Sequence, residues 1–553
     1  MSEQIGQMLP RASGRQGSGG GIWSLAAVLI AALVMLPICA VVWIAFHPAE
    51  NIWPHLISTT LPRYLSNTVI LMGAVAVVTG AAGTGAAWLV VMYRFPGRRW
   101  LQWALLTPLA VPAYVGAYAL VDFLEYAGPV QTALREAMGW TSARDYWFPQ
   151  IRTMGAAVIV LSAALYPYVY ILARAALREQ SGSGFEVARA LGAGPFARFR
   201  RVGLPLVRPA VVAGLAVVMM ETVNDFGTVD YFSVQTLTTG IFSVWLQSGN
   251  LGGAAQIAAL SLTLIVVLVV LEKLSRRKSR FFQTARQVRP IEAEPLHGVK
   301  AWLVTAACAV PFLLGFVLPV GVLAGHAMDA GEWAAPGLLR AFLHSVVTGG
   351  LAAALCVAGG LFMVYGVRLS GRRFLSFLMP VTAIGYAAPG AVLGIGLLIP
   401  LAAFDNRMAD AILAVTGHDP GLLLTGTSAA LVLAYVVRFF AIAQGTADAA
   451  LGRVPPSLPM AARSLGRSAG GTLRAVHVPL VRASVGSALL LVFVDCVKEL
   501  PATLVLRPFN YNTLATRVHE KASLENIAEA APAALTITAV SLLAVALLAR
   551  ANR

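Results

Sequence analysis

The sequence predicts an all-α polytopic membrane protein with about twelve transmembrane helices in two parallel six-helix repeats. Hydrophobic residues make up 58% of the chain, charged residues make up only 12%, and the mean hydropathy is +0.74. These values are typical of a membrane protein rather than of a soluble protein with a large core. A polar segment that occurs twice along the chain predicts the repeat.

The apolar runs define the spans, because each is long enough to cross about 30 Å of hydrocarbon. The polar residues 1–21 form a tail before the first run, which is too long for the apolar core of a signal peptide. The predicted spans are 22–46, 65–93, 101–124, 153–175, 207–223, 254–272, 301–325, 341–367, 375–403, 421–443, 483–498 and 527–549.

These spans divide into two repeats, 22–272 and 301–553, joined by a linker at 273–300. Their core transmembrane domains are expected at about 61–272 and about 340–549. The linker carries a basic cluster and two prolines, as expected of a connection between domains. Six spans in each repeat give both repeats the same orientation in the bilayer.

The formal net charge of +16 does not predict nucleic-acid binding, because the 41 Lys and Arg residues lie mainly in short loops between apolar runs. Positive loops favour the cytoplasmic side of a membrane. We therefore expect the N-terminus, the linker, both copies of the repeated polar segment and the C-terminus to be cytoplasmic, with the lipid bilayer around the spans.

The repeated polar segment comprises residues 186–209 and 460–483, which align without a gap at a shift of 274 residues. Each copy is predicted to be a helix, a glycine break and a second helix, and in the first copy Pro205 then turns the chain into the next span. In that copy Phe185, Ala188 and Leu191 are expected to share one helix face, and after the break an apolar stripe resumes at Phe196, Phe199 and Val202. An amphipathic hairpin of this kind can offer one face to a soluble partner. A basic loop that only sets topology is the alternative, which two copies at one shift disfavour.

The pattern Glu-x-Ala, with Gly six residues after the Glu and Leu-Pro twelve and thirteen residues after that Gly, resembles the cytoplasmic loop of binding-protein-dependent ABC importer permeases of the type I fold. The resemblance implies that both loops dock onto an ATPase subunit dimer. The matching residues are Glu186, Ala188, Gly192, Leu204 and Pro205 in the first copy and Ala462, Gly466 and Pro479 in the second. Met460 and Val478 depart from the pattern in the second copy, so the two loops are predicted to dock unequally.

The sequence contains no GxxxxGK[ST] motif, so the chain is expected to bind no nucleotide cofactor, and ATP with Mg²⁺ is expected to be used by a separate ATPase subunit. It also lacks HExxH, a GxSxG elbow and a clustered set of Cys and His residues. A membrane-embedded enzyme is therefore disfavoured, and the protein is interpreted as a transport permease.

Two pairs of carboxylates occupy equivalent positions in the repeats: Glu221 and Asp225, and Asp495 and Glu499. Each pair is spaced i, i+4 at the expected outer end of a span, so its members share a helix face. Carboxylates at membrane depth usually face a bundle interior or a water-filled path. We expect the four to converge across the pseudo-twofold axis as a negatively lined outer opening that passes a cation without caging it. The alternative is four interfacial anchors, with Lys498 neutralising a neighbour.

Residues 221–229 and 498–504 resemble segments of fused ferric-iron importer permeases. This resemblance implies Fe(III) as cargo, a periplasmic binding protein as partner and the bacterial inner membrane as location. Related importers of thiamine or phosphonate remain alternatives. A secondary transporter is a further alternative, which accounts for the repeat but not for two surface hairpins.

Overall fold

The structure, a computed structural model, describes residues 19–277, 291–328 and 331–551. Most of the predicted N-terminal tail and residues 278–290 of the predicted linker lie outside this part of the chain. The described residues are overwhelmingly α-helical, which confirms the predicted fold class.

The first half contains thirteen α-helices among the described residues. They are α1 Gly19–Phe46, α2 Trp53–Ser58, α3 Leu61–Met92, α4 Arg98–Ala104, α5 Ala113–Leu124, α6 Pro129–Met138, α7 Met154–Arg178, α8 Ser183–Ala190, α9 Pro195–Arg198, α10 Leu204–Asn224, α11 Gly227–Tyr231, α12 Leu237–Phe242 and α13 Leu251–Arg277.

The second half follows the same order in the part of the chain that is described. Its helices are α14 Gly298–Phe312, α15 Leu318–Met328, α16 Leu338–Ser370, α17 Arg373–Thr382, α18 Ile384–Ala387, α19 Gly390–Thr416, α20 Ser428–Gly452, α21 Ser457–Ser464, α22 Ala469–Thr472, α23 Val478–Lys498, α24 Pro501–Leu506, α25 Leu514–Ser523 and α26 Ile527–Ala551. Short 3₁₀ turns occupy Thr107–Ala110 and Gly331–Ala334, and π-helical turns occupy Phe199–Gly203, Ser243–Gln247, Leu313–Val317 and Leu473–His477.

The two halves repeat each other most closely around the polar segments. The helices α7, α8 and α10 begin and end 274 positions before α20, α21 and α23, respectively. The π-helical turns before α10 and α23 follow the same shift. The repeat seen in the sequence is therefore also a repeat of secondary structure.

Eleven helices among the described residues are long and apolar enough to cross a membrane, and a bent pair brings the number to twelve. The predicted continuous span 101–124 is wrong, because the chain breaks between Ala110 and Ala113 and bends by 95° there. Pro112 lacks a backbone N–H and fixes its own φ, which favours a break at this point. The predicted span 421–443 begins only at Ser428, after Gly421 and Gly426 adopt positive φ.

Pro205 does not turn the chain, contrary to the sequence-based prediction. Residues Pro195–Asn224 form one candidate span, and the π-helical turn before Pro205 lets the Leu204 N–H donate to the carbonyl of Phe199. A π-helical turn inserts an extra residue into a helix and so accommodates the crowding that proline introduces. Val478 donates to the carbonyl of Leu473 in the same way before Pro479.

The leading helix of each half packs into the core of the other half. The α1 residues Ala27 and Val34 share a core cluster with Met363 and Leu393 of the second half. The α14 residues Ala301 and Cys308 are buried in a cluster of first-half residues. Glycines permit close approach at both contacts, because a Cβ on Gly396 would collide with the Pro37 carbonyl, and one on Gly315 with the Ala163 carbonyl.

A short parallel bridge joins the loop after α3 to the end of the linker. Strand β1, Tyr93–Arg94, pairs with strand β2, Glu294–Pro295. The N–H of Leu296 extends the bridge by donating to the Arg94 carbonyl at 2.9 Å. This bridge fixes the end of the linker beside the first repeated polar segment.

Candidate functional site

Two equivalent loops are named here after the role predicted for them, docking loop A for residues 183–203 and docking loop B for residues 457–477, and they turn at equivalent glycines. Gly192 has a φ of +79° and Gly466 a φ of +80°, a region that glycine occupies without a steric penalty. In each loop the residue after the glycine donates back to an alanine carbonyl, Ala188 in loop A and Ala462 in loop B. Both first helices thus end in the same Schellman-type cap.

The tips of both docking loops expose apolar side chains. Leu191 and Leu465, which are equivalent, are 82% and 83% exposed, and Phe196 is 73% exposed. The predicted apolar faces do not all pack on the bundle, because Phe185 is buried whereas Leu191 and Phe196 are exposed. Exposed apolar side chains grouped on a hairpin are a feature of protein interaction surfaces.

The predicted docking residues lie within these loops or at the start of the following helix. Glu186 is exposed, as is Met460 in the equivalent position, and no described side chain forms an ion pair with Glu186. Ala462 is buried, Leu204 is half-buried, and Pro205 and Pro479 are exposed near the first turns of α10 and α23.

Different aromatic side chains anchor the two loops to the bundle. In loop A, the rings of Phe185 and Phe199 pack against Trp88, with centroid distances of 5.8 and 5.2 Å. In loop B, the Tyr365 hydroxyl donates to the Ala469 carbonyl at 2.8 Å. The docking loops thus share a backbone geometry but not their supporting contacts.

Loop A has a further support from the linker that has no counterpart among the described contacts of loop B. Arg198 donates to both carboxylate oxygens of Glu294, and Arg189 lies 3.3 Å from the same carboxylate. The hydrogen bond from Arg198 holds the pKa of the Glu294 carboxyl below its ordinary value. In loop B, Thr472 stands where loop A has Arg198, so the same tether cannot form.

The four predicted carboxylates line one cavity of about 180 Å³ between the two halves. The same cavity is lined by Tyr168, the fifteenth of 25 residues in α7, and by Arg438, the eleventh of 25 residues in α20. The carboxylates therefore lie near the middle of the flanking helices, not at an outer opening as predicted.

Asp225 and Glu499 cap short helices in equivalent ways. Asp225 accepts from the N–H groups of Thr228 and Val229 and from the Thr228 hydroxyl, at 2.9–3.1 Å. Glu499 accepts from the N–H groups of Ala502 and Thr503 and from the Thr503 hydroxyl, at 2.9–3.0 Å. Both carboxylates thus satisfy the free N–H groups of a helix N-terminus.

Glu221 and Asp495 are not engaged in caps. Glu221 accepts from the Tyr386 hydroxyl at 3.3 Å, and Asp495 lies 3.4 Å from the Lys498 ammonium, as the sequence alternative anticipated. Arg438 lies 3.9 Å from Glu499. Four carboxylates and two cations line the cavity, so its formal charge is −2.

A second, larger cavity of about 600 Å³ adjoins the first and shares Tyr168, Tyr386, Asp495 and Lys498 with it. Its lining includes Arg174 and extends to Arg178, the last residue of α7, five positions before docking loop A. The two cavities together run from the middle of the bundle towards the docking loops.

Sequence reasoning missed Arg438, Tyr168 and Tyr386 in the cavity wall. Arg438 carried a usable signal, because an arginine inside an apolar span usually faces a partner or a polar path. The tyrosines carried none, since tyrosines also occur throughout the apolar core. Among the described residues, no group of three or more His, Cys, Asp or Glu side chains is arranged to hold a metal ion.

Part of the chain matches a known family, and several curated proteins align with it. Residues 79–281 match the family described as "Binding-protein-dependent transport system inner membrane component". The chain is 26% identical over 489 residues to the Fe(3+)-transport system permease protein FbpB 2 of Haemophilus influenzae, covering 87% of this chain and 88% of that one.

Two further relatives differ in how much of this chain they align with. The ferric transport system permease protein FbpB of Actinobacillus pleuropneumoniae is 24% identical over 510 residues, covering 87% of this chain and 70% of that protein. The sulfate transport system permease protein CysT of Salmonella typhimurium is 24% identical over 265 residues, which is 46% of this chain and 90% of its own. The relatives with ferric names thus align with both halves, whereas the sulfate permease aligns with a length near that of one half.

Proposed function

We propose that this chain, a multi-pass inner-membrane permease of the binding-protein-dependent ABC importer type with both halves fused, carries Fe(III) through the cavity between its halves. The resemblance to fused ferric-iron permeases agrees with relatives named for ferric transport that align along both halves. The cavity adds a physical reason for a cation, independent of those names.

The observation that carries the proposal is the negative charge of a cavity in the middle of the bundle. Carboxylate oxygens suit Fe(III), a hard cation that prefers oxygen ligands. Because conduction requires binding that is weak enough to be reversed, an open arrangement of oxygens suits passage better than a closed coordination cage.

Sulfate is the competing cargo, because a sulfate permease is among the relatives and Arg438 and Lys498 line the cavity. Both cations already lie beside carboxylates, and the cavity keeps a formal charge of −2. A divalent anion would meet net repulsion there, so the charge balance favours a cation.

The proposed partner proteins bind on opposite sides of the membrane. We propose that Leu191 and Leu465 insert into an ATPase subunit dimer that uses ATP and Mg²⁺, and that a periplasmic binding protein delivers the cargo on the opposite side. In this orientation both termini and both docking loops are cytoplasmic. Cysteine labelling at Leu191 and at Asn51 in sealed inside-out vesicles tests it, because only the docking-loop position should be accessible from the outside of those vesicles.

The decisive experiment is uptake into proteoliposomes that contain this chain, its ATPase subunit and an iron-loaded binding protein. We expect ATP-dependent accumulation of radiolabelled iron and none of radiolabelled sulfate. Replacing Glu221 with Gln and Asp495 with Asn together should lower iron uptake while assembly with the ATPase is retained. Uptake driven by a proton gradient without the ATPase would instead support a secondary transporter.

A further inference from the structure

A groove of about 720 Å³ lies at the end of α7 opposite to docking loop A. It is formed by the segment 125–152, which joins α5 to α7 and contains α6. The 25 residues of α7, at about 1.5 Å each, separate this aromatic groove from docking loop A by about 37 Å. Four aromatic side chains and a pair of opposite charges line it: Tyr126, Tyr146, Trp147, Phe148, Glu125 and Arg152.

Contacts within the segment hold the walls of the aromatic groove in place. The Arg135 guanidinium donates to the Tyr126 carbonyl at 2.8 Å and to the Tyr146 hydroxyl at 3.1 Å. The Tyr146 hydroxyl in turn donates to Oε1 of Gln131 at 2.6 Å. The groove is therefore preformed, and a partner that binds there does not have to order these side chains.

Trp147 leaves 86% of its surface exposed beside these ordered side chains. Trp, Tyr and Arg are the residues that contribute most to binding at protein interfaces, because they bury a large area at a small entropic cost. Lipid is a poor occupant of the groove, since the charges of Glu125 and Arg152 are costly in contact with hydrocarbon. The groove therefore suits a protruding part of a soluble protein.

The aromatic groove adjoins a cavity of about 580 Å³ between the two halves. Glu125 and Arg152 line both, whereas His326 and Glu525 of the second half line the cavity but not the groove. Arg152 lies 3.1 Å from Glu125 and 2.9 Å from Glu525, so one guanidinium connects the groove with the second half. A protein seated in the groove thus lies at the junction of the halves.

Tyrosine side chains lie between this junction cavity and the cavity that holds the four carboxylates. Tyr231 lines the junction cavity, and its ring packs edge-on against Tyr118 with a centroid distance of 4.5 Å. Tyr118 neighbours Tyr114 at a centroid distance of 5.9 Å, and Tyr114 lines the carboxylate cavity. The groove is therefore next to a route that leads to the carboxylates, as expected of a place where cargo is delivered.

We propose that the aromatic groove is the surface on which the periplasmic binding protein docks, with Trp147 as the residue that contributes most to its affinity. This inference rests on the proposed function and assigns a surface to its outer partner. The proposed function puts the binding protein on the side opposite to the docking loops, which is where the groove lies.

The second half is built differently at the equivalent positions. There α19 runs unbroken from Gly390 to Thr416, across the positions equivalent to residues 116–142 at the shift of 274. In the first half α5 ends at Leu124, and Gly128 permits the turn that follows, because a Cβ there would collide with the Asp122 carbonyl. The two halves thus offer unequal surfaces to the binding protein, which should dock in a single orientation.

The test measures binding of the iron-loaded binding protein to the complex of this chain with its ATPase subunit in nanodiscs. Trp147→Ala should raise the Kd by about 30-fold, the loss typical of a residue that dominates an interface. Trp147→Phe keeps an aromatic ring and should restore most of the affinity. In proteoliposomes Trp147→Ala should raise the concentration of binding protein that gives half-maximal iron uptake, while the maximal rate stays within about twofold of wild type.

Met138→Ala is the matched control, because Met138 is a 62% exposed apolar residue of the same segment that does not line the groove. It should bind the binding protein with wild-type affinity. A spin label on Trp147→Cys provides a second measurement. The label should be accessible to a water-soluble nickel complex, and addition of the binding protein should protect it.

Wild-type affinity in Trp147→Ala would overturn the groove as the docking surface while leaving iron as the cargo. An equal loss in Met138→Ala would also overturn it, since the effect would then belong to the whole segment. A label that is accessible to oxygen but not to the nickel complex would put the groove against lipid and overturn the assignment. A wild-type complex that binds the binding protein and hydrolyses ATP but moves no radiolabelled iron would overturn the proposed cargo instead.

Discussion

Replacing Glu294 with Gln should loosen docking loop A and leave docking loop B unchanged. In the native protein the carboxylate of Glu294 is 28% exposed and the Arg198 side chain only 12% exposed, so solvent screens their interaction weakly. Arg189 is 67% exposed and adds little. The variant keeps the size of the side chain but removes the charge that partners a nearly buried guanidinium.

The expected loss is about 2 kcal/mol, the middle of the range for hydrogen bonds to charged groups. That value corresponds to about a 30-fold rise in the fraction of time during which the loop is open. The pKa of Glu294 is lowered in the folded state, so the contribution is present above the ordinary value of 4.5 and is lost as the pH falls through the lowered folded value. A measurement at pH 7 therefore captures the full effect.

Amide hydrogen exchange in nanodiscs is the appropriate assay, because it reports local opening in each loop separately. Amides of residues 186–198 should exchange about 30-fold faster in Glu294→Gln, whereas those of residues 460–472 should not change. Glu292→Gln is the matched control, since this exposed residue lies two positions away and has no described ion pair. Equal exchange of loop A in wild type and Glu294→Gln would refute the tether.

Three further predictions concern the loops and one buried histidine. Glu186→Ala should weaken ATPase binding more than Met460→Ala in a pull-down, since only Glu186 carries a charge, and equal losses would contradict unequal docking. Gly192→Val and Gly466→Val should each destabilise the folded loop by about 1–2 kcal/mol, because both glycines have positive φ. Thermal stability and ATPase coupling equal to those of wild type would contradict this prediction. Burial lowers the pKa of His519 to about 4 in the folded protein. The free energy of unfolding should therefore fall by about 2 kcal/mol between pH 7 and pH 5, because the unfolded chain gains a proton there and the folded protein does not. Thermal unfolding of His519→Gln should show a weaker dependence on pH.

The sequence could predict the helical fold because long apolar runs and positively charged loops are direct consequences of the bilayer. The apolar composition of the third predicted span did not reveal the break near Pro112, because the residues before and after the break are equally apolar. The break is seen only in the structure, as a 95° bend. The sequence also did not predict the π-helical turns before Pro205 and Pro479. A proline signals strain in a helix but does not say how the helix relieves it.

The candidate site, like the fold, could be predicted from the sequence only in part. Sequence equivalence identified Glu221, Asp225, Asp495 and Glu499, and the structure places them in one cavity. The sequence could not show that Asp225 and Glu499 cap short helices whereas Glu221 and Asp495 do not, because that difference depends on how the chain continues after each span. An arginine inside an apolar span could have indicated a polar path, but the sequence does not show that Arg438 approaches Glu499, because the two residues lie on different elements.

The exchange of leading helices between the halves has a consequence for biogenesis. The first of the second-half helices against which α1 packs, α16, begins at Leu338, 292 residues after α1 ends at Phe46, so none of these helices exists when α1 has just been synthesised. Until then α1 can pack on the first-half helix α13, but the rest of its inward face has no protein partner, and the first half cannot complete its packing until synthesis has reached α19 and α20. A nascent chain arrested within the linker should accordingly remain susceptible to protease, and the permease should acquire its compact state late, when both polypeptide halves are in the same membrane.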